Sequence, residues 1–359
     1  MRNCTICSST NYTEIYSQKN IPTFQNKVYK NPETARSVLK VDIHLVCCTQ
    51  CGFIFNEAFD PKLLDYDENY QNEQANSAVF FNHLNDVYEI LHAGGFLNKN
   101  VIEIGCGKGF FLEFLSKKGL NVTGYDPAYE GKNEKIVKDY FSEKYATSAD
   151  FIILRHTLEH IAQPYEFLCA IAKANRNQGQ IYIEVPTFKW IVKNQAFEDI
   201  FNEHPNYFTP ESLRNIFRKC VDGELFEGQY MYVIADLSSI KPQDQIACDT
   251  DFQDALQITK KVEQYQQMVT SLPNAAIWGA AAKGCTFANM MDQDARYLKC
   301  AIDINPVKQG KYLGGTGHSI ISPDKISDFG IENIIIMNKN YIDEIKLILN
   351  NQNINIFTL

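Results

Sequence analysis

Long apolar runs are missing from this chain. No segment approaches the ~18 consecutive apolar residues that a membrane-crossing helix needs, so a membrane protein is not expected. The opening residues, MRNCTICSST, hold no apolar block of the secretory kind, so no signal peptide is expected either. Basic residues are outnumbered: 34 Lys and Arg stand against 43 Asp and Glu, a net charge of -9. That balance argues against generic binding to nucleic acid. No Asn/Asp-Pro-Pro-Tyr-type element is present to hold a flipped base, which argues against a nucleic-acid-modifying enzyme. No internal repeat and no low-complexity tract appears.

What is present is ordinary for a globular enzyme: 359 residues, 45% hydrophobic and 21% charged. That length exceeds one ordinary core and implies two or three domains. Eleven cysteines in a chain without a secretion signal point to the cytoplasm and to a metal site, not to a disulfide framework. Cys4-Thr5-Ile6-Cys7 and Cys48-Thr49-Gln50-Cys51-Gly52 are spaced like two zinc knuckles. Two residues between thiolates let one tight turn aim both sulfurs at one ion, and two such turns complete a tetrahedral shell. Four thiolates leave no open position, so the Zn²⁺ would be structural and would fold a small N-terminal lobe. Cys47, beside Cys48, leaves open which sulfur is the ligand.

The middle of the chain reads VIEIGCGKGFFLEFLSKKGLNVTGYDPAYE from residue 101. Val101–Ile104 is an apolar strand. Gly105, Cys106, Gly107 and Gly109 form a loop that a ligand can approach closely. A helix follows, with Phe111, Leu112 and Leu115 inward and Gly119 past its end. The next strand ends at Asp126-Pro127, where a carboxylate can hold ribose hydroxyls. The glycines run GxGxG, and Glu103 stands two residues before the first. A pyrophosphate at a helix N-terminus would not tolerate that acid, whereas a cationic sulfonium cofactor would. The pattern therefore selects S-adenosylmethionine, with S-adenosylhomocysteine as product, and resembles the class I methyltransferase signature. Apolar segments 150–156 and 180–186, with a helix at 164–174 between them, extend a doubly wound parallel sheet. The loop 105–109, Asp126, the segment Arg155, His156 to His160 and the chain after Pro186 should converge on one cleft. His160 either orients substrate and carries a proton or is a satisfied histidine at a helix start.

Residues 252–271 read as an amphipathic helix, with Phe252, Leu256, Val262, Tyr265 and Val269 near helical spacing. Residues 275–289 read as strand, small-residue turn and helix, and strand-like segments at 298–306, 332–338 and 354–359, with a helix at 341–351, complete a second open α/β sheet. Ala280–Ala282 permit close backbone approach at a helix N-terminus, and Lys283 adds charge for a phosphate.

Taken in order, CTIC, CTQCG, VIEIGCGKG, LEHI, FNEHPNYF and GAAAKGCTFAN…DINPVKQGKY resemble the C-methyltransferases that modify nucleotide-linked deoxysugars. The likeness covers nearly the whole chain. It implies a zinc-binding lobe at 1–70, a class I methyltransferase core at 71–245 and a second Rossmann-like α/β lobe at 246–359. It implies His204 as general base. Glu203 and His160 join it in the sugar pocket, along with Tyr70 or alternatively Tyr66; Tyr207, in the same stretch, is read as a further positioning residue. It implies that Lys283, Asn289, Asp303, Lys308 and Tyr312 hold the nucleotide sugar. The expected enzyme is a cytoplasmic monomer or small homo-oligomer. Methyl transfer to a sugar oxygen, and a non-catalytic nucleotide-sugar binder, are the competing expectations.

Overall fold

The structure is a computed structural model in which residues 2–64, 69–71, 77–96, 99–247, 258–350 and 352–359 are described. Near the N-terminus, β1 (Tyr12–Pro22), β2 (Lys40–Cys48) and β3 (Ile54–Asn56) pair antiparallel. Asn206–Tyr207, far along the chain, adds a fourth short strand against β3. Side chains alternate across a strand, and β2 shows the result. Val46 and Cys48 face a core with Ile6, Phe53 and Phe55, while Leu45 and Cys47 face another with Ile43 and Ile54.

The core follows as α1 (Ala78–Ala93), β4 (Asn100–Ile104), α2 (Phe110–Lys117), β5 (Asn121–Tyr125), β6 (Ile136–Val137), β7 (Phe151–Arg155), α3 (Pro164–Ala174), β8 (Gln180–Pro186), β9 (Cys220–Leu225) and β10 (Tyr230–Asp236). The sheet runs β9-β10-β8-β7-β4-β5-β6. Numbered from β4, that is 3-2-1-4-5-7-6, the order of the class I methyltransferase fold. The five strands β4 to β8 are parallel, as expected from the alternation of strand and helix. β10 runs against both its neighbours, so the sheet is mixed and not purely parallel. The cause is local: only residues 226–229 join β9 to β10, too few for a crossover. One sheet face packs Val101, Phe151 and Ile153 on α1 and α2. The other packs Ile102, Ile152, Leu154 and Ile181 on α3. Each such buried aliphatic side chain contributes about 1.5–3 kcal/mol. The chain turns opposite ways on leaving β4 and β7, and this places a crevice at their carboxyl ends.

The C-terminal part holds α4 (Ile258–Ser271), β11 (Ala275–Trp278), α5 (Ala282–Met291), β12 (Leu298–Ile302), β13 (Ile320–Ile321), β14 (Asn333–Ile336), α6 (Ile342–Leu349) and β15 (Asn355–Thr358). Its strands order as β13-β12-β11-β14-β15, all parallel. Phe252 and Leu256, expected on α4, lie outside the described residues. Gly284 lets α5 press on the end of β11, because a Cβ there would stand 1.8 Å from the Gly279 carbonyl oxygen. No described helix is long and apolar enough to cross a membrane.

Candidate active site

The three parts meet around a cavity of about 380 Å³. The core supplies Glu103, Gly105–Lys108 and residues after β7 and β8. The C-terminal part supplies the β11–α5 turn and the ends of β12 and β14. The N-terminal part supplies Asn26.

Glu103 is buried on β4 with one carboxylate oxygen unbonded. Burial lifts its carboxyl to about 7, against the pull of Arg155 and with a further push from Asp126. Gly107 turns through φ +55 and has open space where a side chain would project. Its N–H donates to Asp126 Oδ2 at 2.8 Å, and Ala128 N–H donates to Oδ1 at 2.9 Å. Asp126 thus steadies the glycine loop. Neither it nor Pro127 is among the described residues that line the cavity. Arg155 lines it, held by two contacts to Glu184 at 3.0 and 3.3 Å and laid 4.4 Å from the Phe111 ring. His156 sits in the left-handed region, φ 48, 2.9 Å from Glu184 and 3.6 Å from Glu159. Burial disfavours its imidazolium, but Glu159 and Glu184 outweigh that and lift it to about 9. Glu184 also accepts from Tyr182 Oη and pairs with His83.

The stretch FEDIFNEHPNYF divides its side chains among three tasks. His204 faces the cavity, with its ring 4.6 Å from His160 and 4.0 Å from Phe201. Burial, then the nearby charges of His160 and His156, hold its pKa well below the usual histidine range. His160 Nδ1 lies 2.7 Å from the Glu203 carbonyl. A carbonyl only accepts, so Nδ1 carries the proton and Nε2 keeps its lone pair. Burial lowers His160 as well, although Glu159 works the other way. The Glu203 side chain turns away from the cavity. It is fully buried and accepts from the backbone N–H groups of Gln25 at 2.6 Å and Asn26 at 3.3 Å. Burial lifts it to about 7.

Of the aromatics in this stretch, Phe201 alone is among the described residues that line the cavity. Phe197 packs on Tyr265 and Phe287 of the C-terminal part, and Phe208 packs on Phe53 of the N-terminal part. Tyr207 Oη folds back on the Phe201 backbone, accepting from its N–H at 3.0 Å and donating to its carbonyl at 3.2 Å. These rings bind the lobes together because their neighbours are apolar and distant in sequence. Tyr70 lines the cavity, with Asn26 Nδ2 3.4 Å from its hydroxyl. Tyr66 lies outside the described residues.

In the C-terminal part Lys283, Asp303 and Lys308 line the cavity. Lys283 Nζ pairs with Asp199 of the core at 2.7 Å. Asp303 accepts from Ala280 N–H at 2.8 Å and lies 3.3 Å from Lys308. Asn26 Oδ1 accepts from Ala282 N–H at 3.0 Å. Two donors at the start of α5 are therefore taken, and the charge of Lys283 is shared with Asp199. Asn289 and Tyr312 sit elsewhere. Asn289 ties Cys285 to Gly314, and Tyr312 pairs with Tyr29. Sequence reading missed Asn26, Glu159, Glu184 and Asp199. Only Glu159 left a trace, in the motif LEHI.

Away from the cavity, the sulfurs of Cys4, Cys7, Cys48 and Cys51 lie within 4.8 Å of one another. The pairs Cys4–Cys51 and Cys7–Cys48 stand at 3.6 and 3.5 Å. A tetrahedral zinc with Zn–S near 2.3 Å sets sulfurs about 3.8 Å apart, so the set fits the ion. Cys47 points to the opposite face and is outside the cluster.

Two family models match: a methyltransferase domain over residues 80–220 and a C-methyltransferase C-terminal domain over residues 244–353. The chain is an S-adenosylmethionine-dependent methyltransferase. Its pair of domains is that of a C-methyltransferase. The C-methyltransferase NovU of Streptomyces niveus is 22% identical to this methyltransferase, over 95% of this chain and 90% of that protein. The ubiquinone biosynthesis O-methyltransferase of Escherichia coli O127:H6 is 30% identical over 25% of this chain and 44% of its own, so the likeness is confined to part of both. Among solved structures, the 1,6-didemethyltoxoflavin-N1-methyltransferase of Burkholderia thailandensis, with bound S-adenosylhomocysteine, is similar over 51% of this chain and 93% of that chain. The identity is 15% and the TM-score 0.33.

Proposed function

We propose that this methyltransferase acts in the cytoplasm and transfers the methyl group of S-adenosylmethionine to a carbon of a nucleotide-linked keto-deoxysugar. The observation that carries the reading is a shared cavity. The glycine loop, the His160–His204 pair and the C-methyltransferase C-terminal domain all line it. The residues also fit the cofactor: an unbonded buried carboxylate, Glu103, and a loop left open at Gly107 suit a cation without phosphates. Glu103, Gly105, Cys106 and Gly107 would hold it, with Asp126 steadying the loop. When bound, it supplies an electrophilic methyl on a sulfonium.

His204 takes the proton from the carbon next to the sugar ketone. Its imidazole is neutral because burial suppresses the charged form, so its lone pair is free at neutral pH. The electron pair left by the proton moves onto the ketone oxygen and returns through the same carbon toward the methyl. General-base help of this kind is worth ~10²–10⁴ in rate. His160, fixed by the Glu203 carbonyl, presents Nε2 to a sugar hydroxyl. Tyr70 Oη reaches the ketone oxygen. Phe201 shields part of the site from water, which strengthens the polar contacts beside it. Lys283 and Lys308 attract the diphosphate of the nucleotide, with Asp303 for its hydroxyls. Zinc on Cys4, Cys7, Cys48 and Cys51 holds the N-terminal lobe that delivers Asn26 and Tyr70.

A set of keto-sugar nucleotides, incubated with enzyme and S-adenosylmethionine and followed by mass spectrometry, tests the reading. A product heavier by one methylene, with the methyl on carbon, is expected. Methylation of none of them rejects the substrate class.

A further inference from the structure

Glu159 is 2% exposed, yet neither of its carboxylate oxygens has a hydrogen-bond partner. Buried polar atoms are rarely left so; His156 Nδ1 stands 3.6 Å from Oε1, an ion pair longer than a hydrogen bond, so the carboxylate keeps unfilled acceptor capacity. The side chain lines the cavity beside His160 and His204. One donor atom from each of the three lies within 4.8 Å of the others. We propose that Glu159, His160 and His204 form a binding site for a divalent transition-metal ion, distinct from the four cysteines. Around a zinc-sized ion, nitrogen and oxygen donors stand roughly 3.4 Å apart. Closing that gap requires the side chains to turn toward the ion. Two imidazoles and one carboxylate suit zinc, cobalt or manganese, and three protein ligands leave positions open toward the cleft.

The surroundings agree with ligation. His160 gives its Nδ1 proton to the Glu203 carbonyl, the outer contact that orients a metal-binding imidazole and frees Nε2. Burial keeps both rings neutral, as ligands must be. A second cluster, His83, His156 and Glu184, has similar spacing. It is not such a site, because Arg155 and the Tyr182 hydroxyl already occupy the Glu184 oxygens.

The consequence rests on His204 as the base. A ring nitrogen bound to metal cannot take a proton, so ion and acceptor compete. The ion inhibits by raising the acceptor KM and leaves S-adenosylmethionine binding unchanged.

The test uses enzyme whose four-cysteine site is filled with zinc. Cobalt(II) is titrated in and its visible absorption followed. One further equivalent is expected, with affinity reduced at least roughly tenfold in both E159Q and H160Q. Calorimetry of S-adenosylmethionine binding confirms that each variant is folded. No uptake of a further equivalent, or uptake unchanged in both variants, overturns the site. Cobalt that binds as expected but accelerates methyl transfer keeps the site and overturns His204 as the base. Absence of methyl transfer with unchanged cobalt binding rejects only the proposed substrate.

Discussion

The Nδ1 atom of His160 donates to the main-chain carbonyl of Glu203, 2.7 Å away, and the same ring lies edge-on 4.6 Å from His204. The turn after β7 and the loop before Asn206–Tyr207 are thereby locked together at the cavity. The contact defines which nitrogen of His160 is free and where the neighbouring His204 ring stands.

Replacing His204 with Gln keeps the size of the side chain and removes its basicity. The turnover number is expected to fall by ~10²–10⁴, with S-adenosylmethionine affinity unchanged by calorimetry. Equal losses in both would mark His204 as structural.

Glu103 sets a pH dependence. Its carboxyl is lifted from an ordinary 4.5 to about 7 by burial, so the folded state prefers it protonated. The stability this confers is present below pH 4.5 and lost as pH rises to about 7, a change of up to ~3 kcal/mol. A cationic cofactor prefers the ionised form, so its affinity rises over the same interval, by up to about tenfold per unit. Glu198 and Glu203 are lifted to the same region, so the comparison must be with E103Q. That variant should bind more weakly and lose the slope, as read by calorimetry at ~pH 6 and ~pH 8.

The cysteines separate by face. Cys48→Ser should release the metal and lower the thermal midpoint, whereas Cys47→Ser should retain one zinc per chain. Elemental analysis of both proteins decides it. Loss of zinc from the Cys47 variant alone would reverse the assignment.

Lys283 faces the cavity while paired with Asp199. An anionic acceptor has to compete with that carboxylate for it. Lys283→Ala is expected to raise the acceptor KM about tenfold, near the worth of one charge-assisted hydrogen bond. The turnover number and cofactor affinity should stay as they are. An unchanged KM would remove Lys283 from the phosphate site.

Local pattern made part of this legible. The glycine loop between an apolar strand and an amphipathic helix, and the two CxxC turns, are short-range features, and they fold where the sequence places them. Contacts between distant segments were not legible. Glu203 and His204 are neighbours in sequence, but one is fully buried against Gln25 and Asn26 and the other faces the cavity. No pattern within FNEHPNYF distinguishes them, because the loop that Glu203 anchors lies 177 residues away at Asn26. The same limit hid Asp199, the partner of Lys283. It also hid the face of Cys47, since the phase of alternation along β2 is set by what packs on each side. Composition alone does not assign the aromatics of that stretch either: Phe197 and Phe208 are claimed by packing between the lobes and Phe201 by the cavity.

Carbon methylation with His204 as base requires one carbon-bound proton to leave the acceptor. An acceptor deuterated at the carbon next to the ketone is incubated with the enzyme and S-adenosylmethionine, and the product is examined by mass spectrometry and NMR. The expected product carries the methyl on that carbon with its deuterium lost to solvent, and H204Q shows no such loss. A product that keeps its deuterium and carries the methyl on oxygen would contradict carbon methylation.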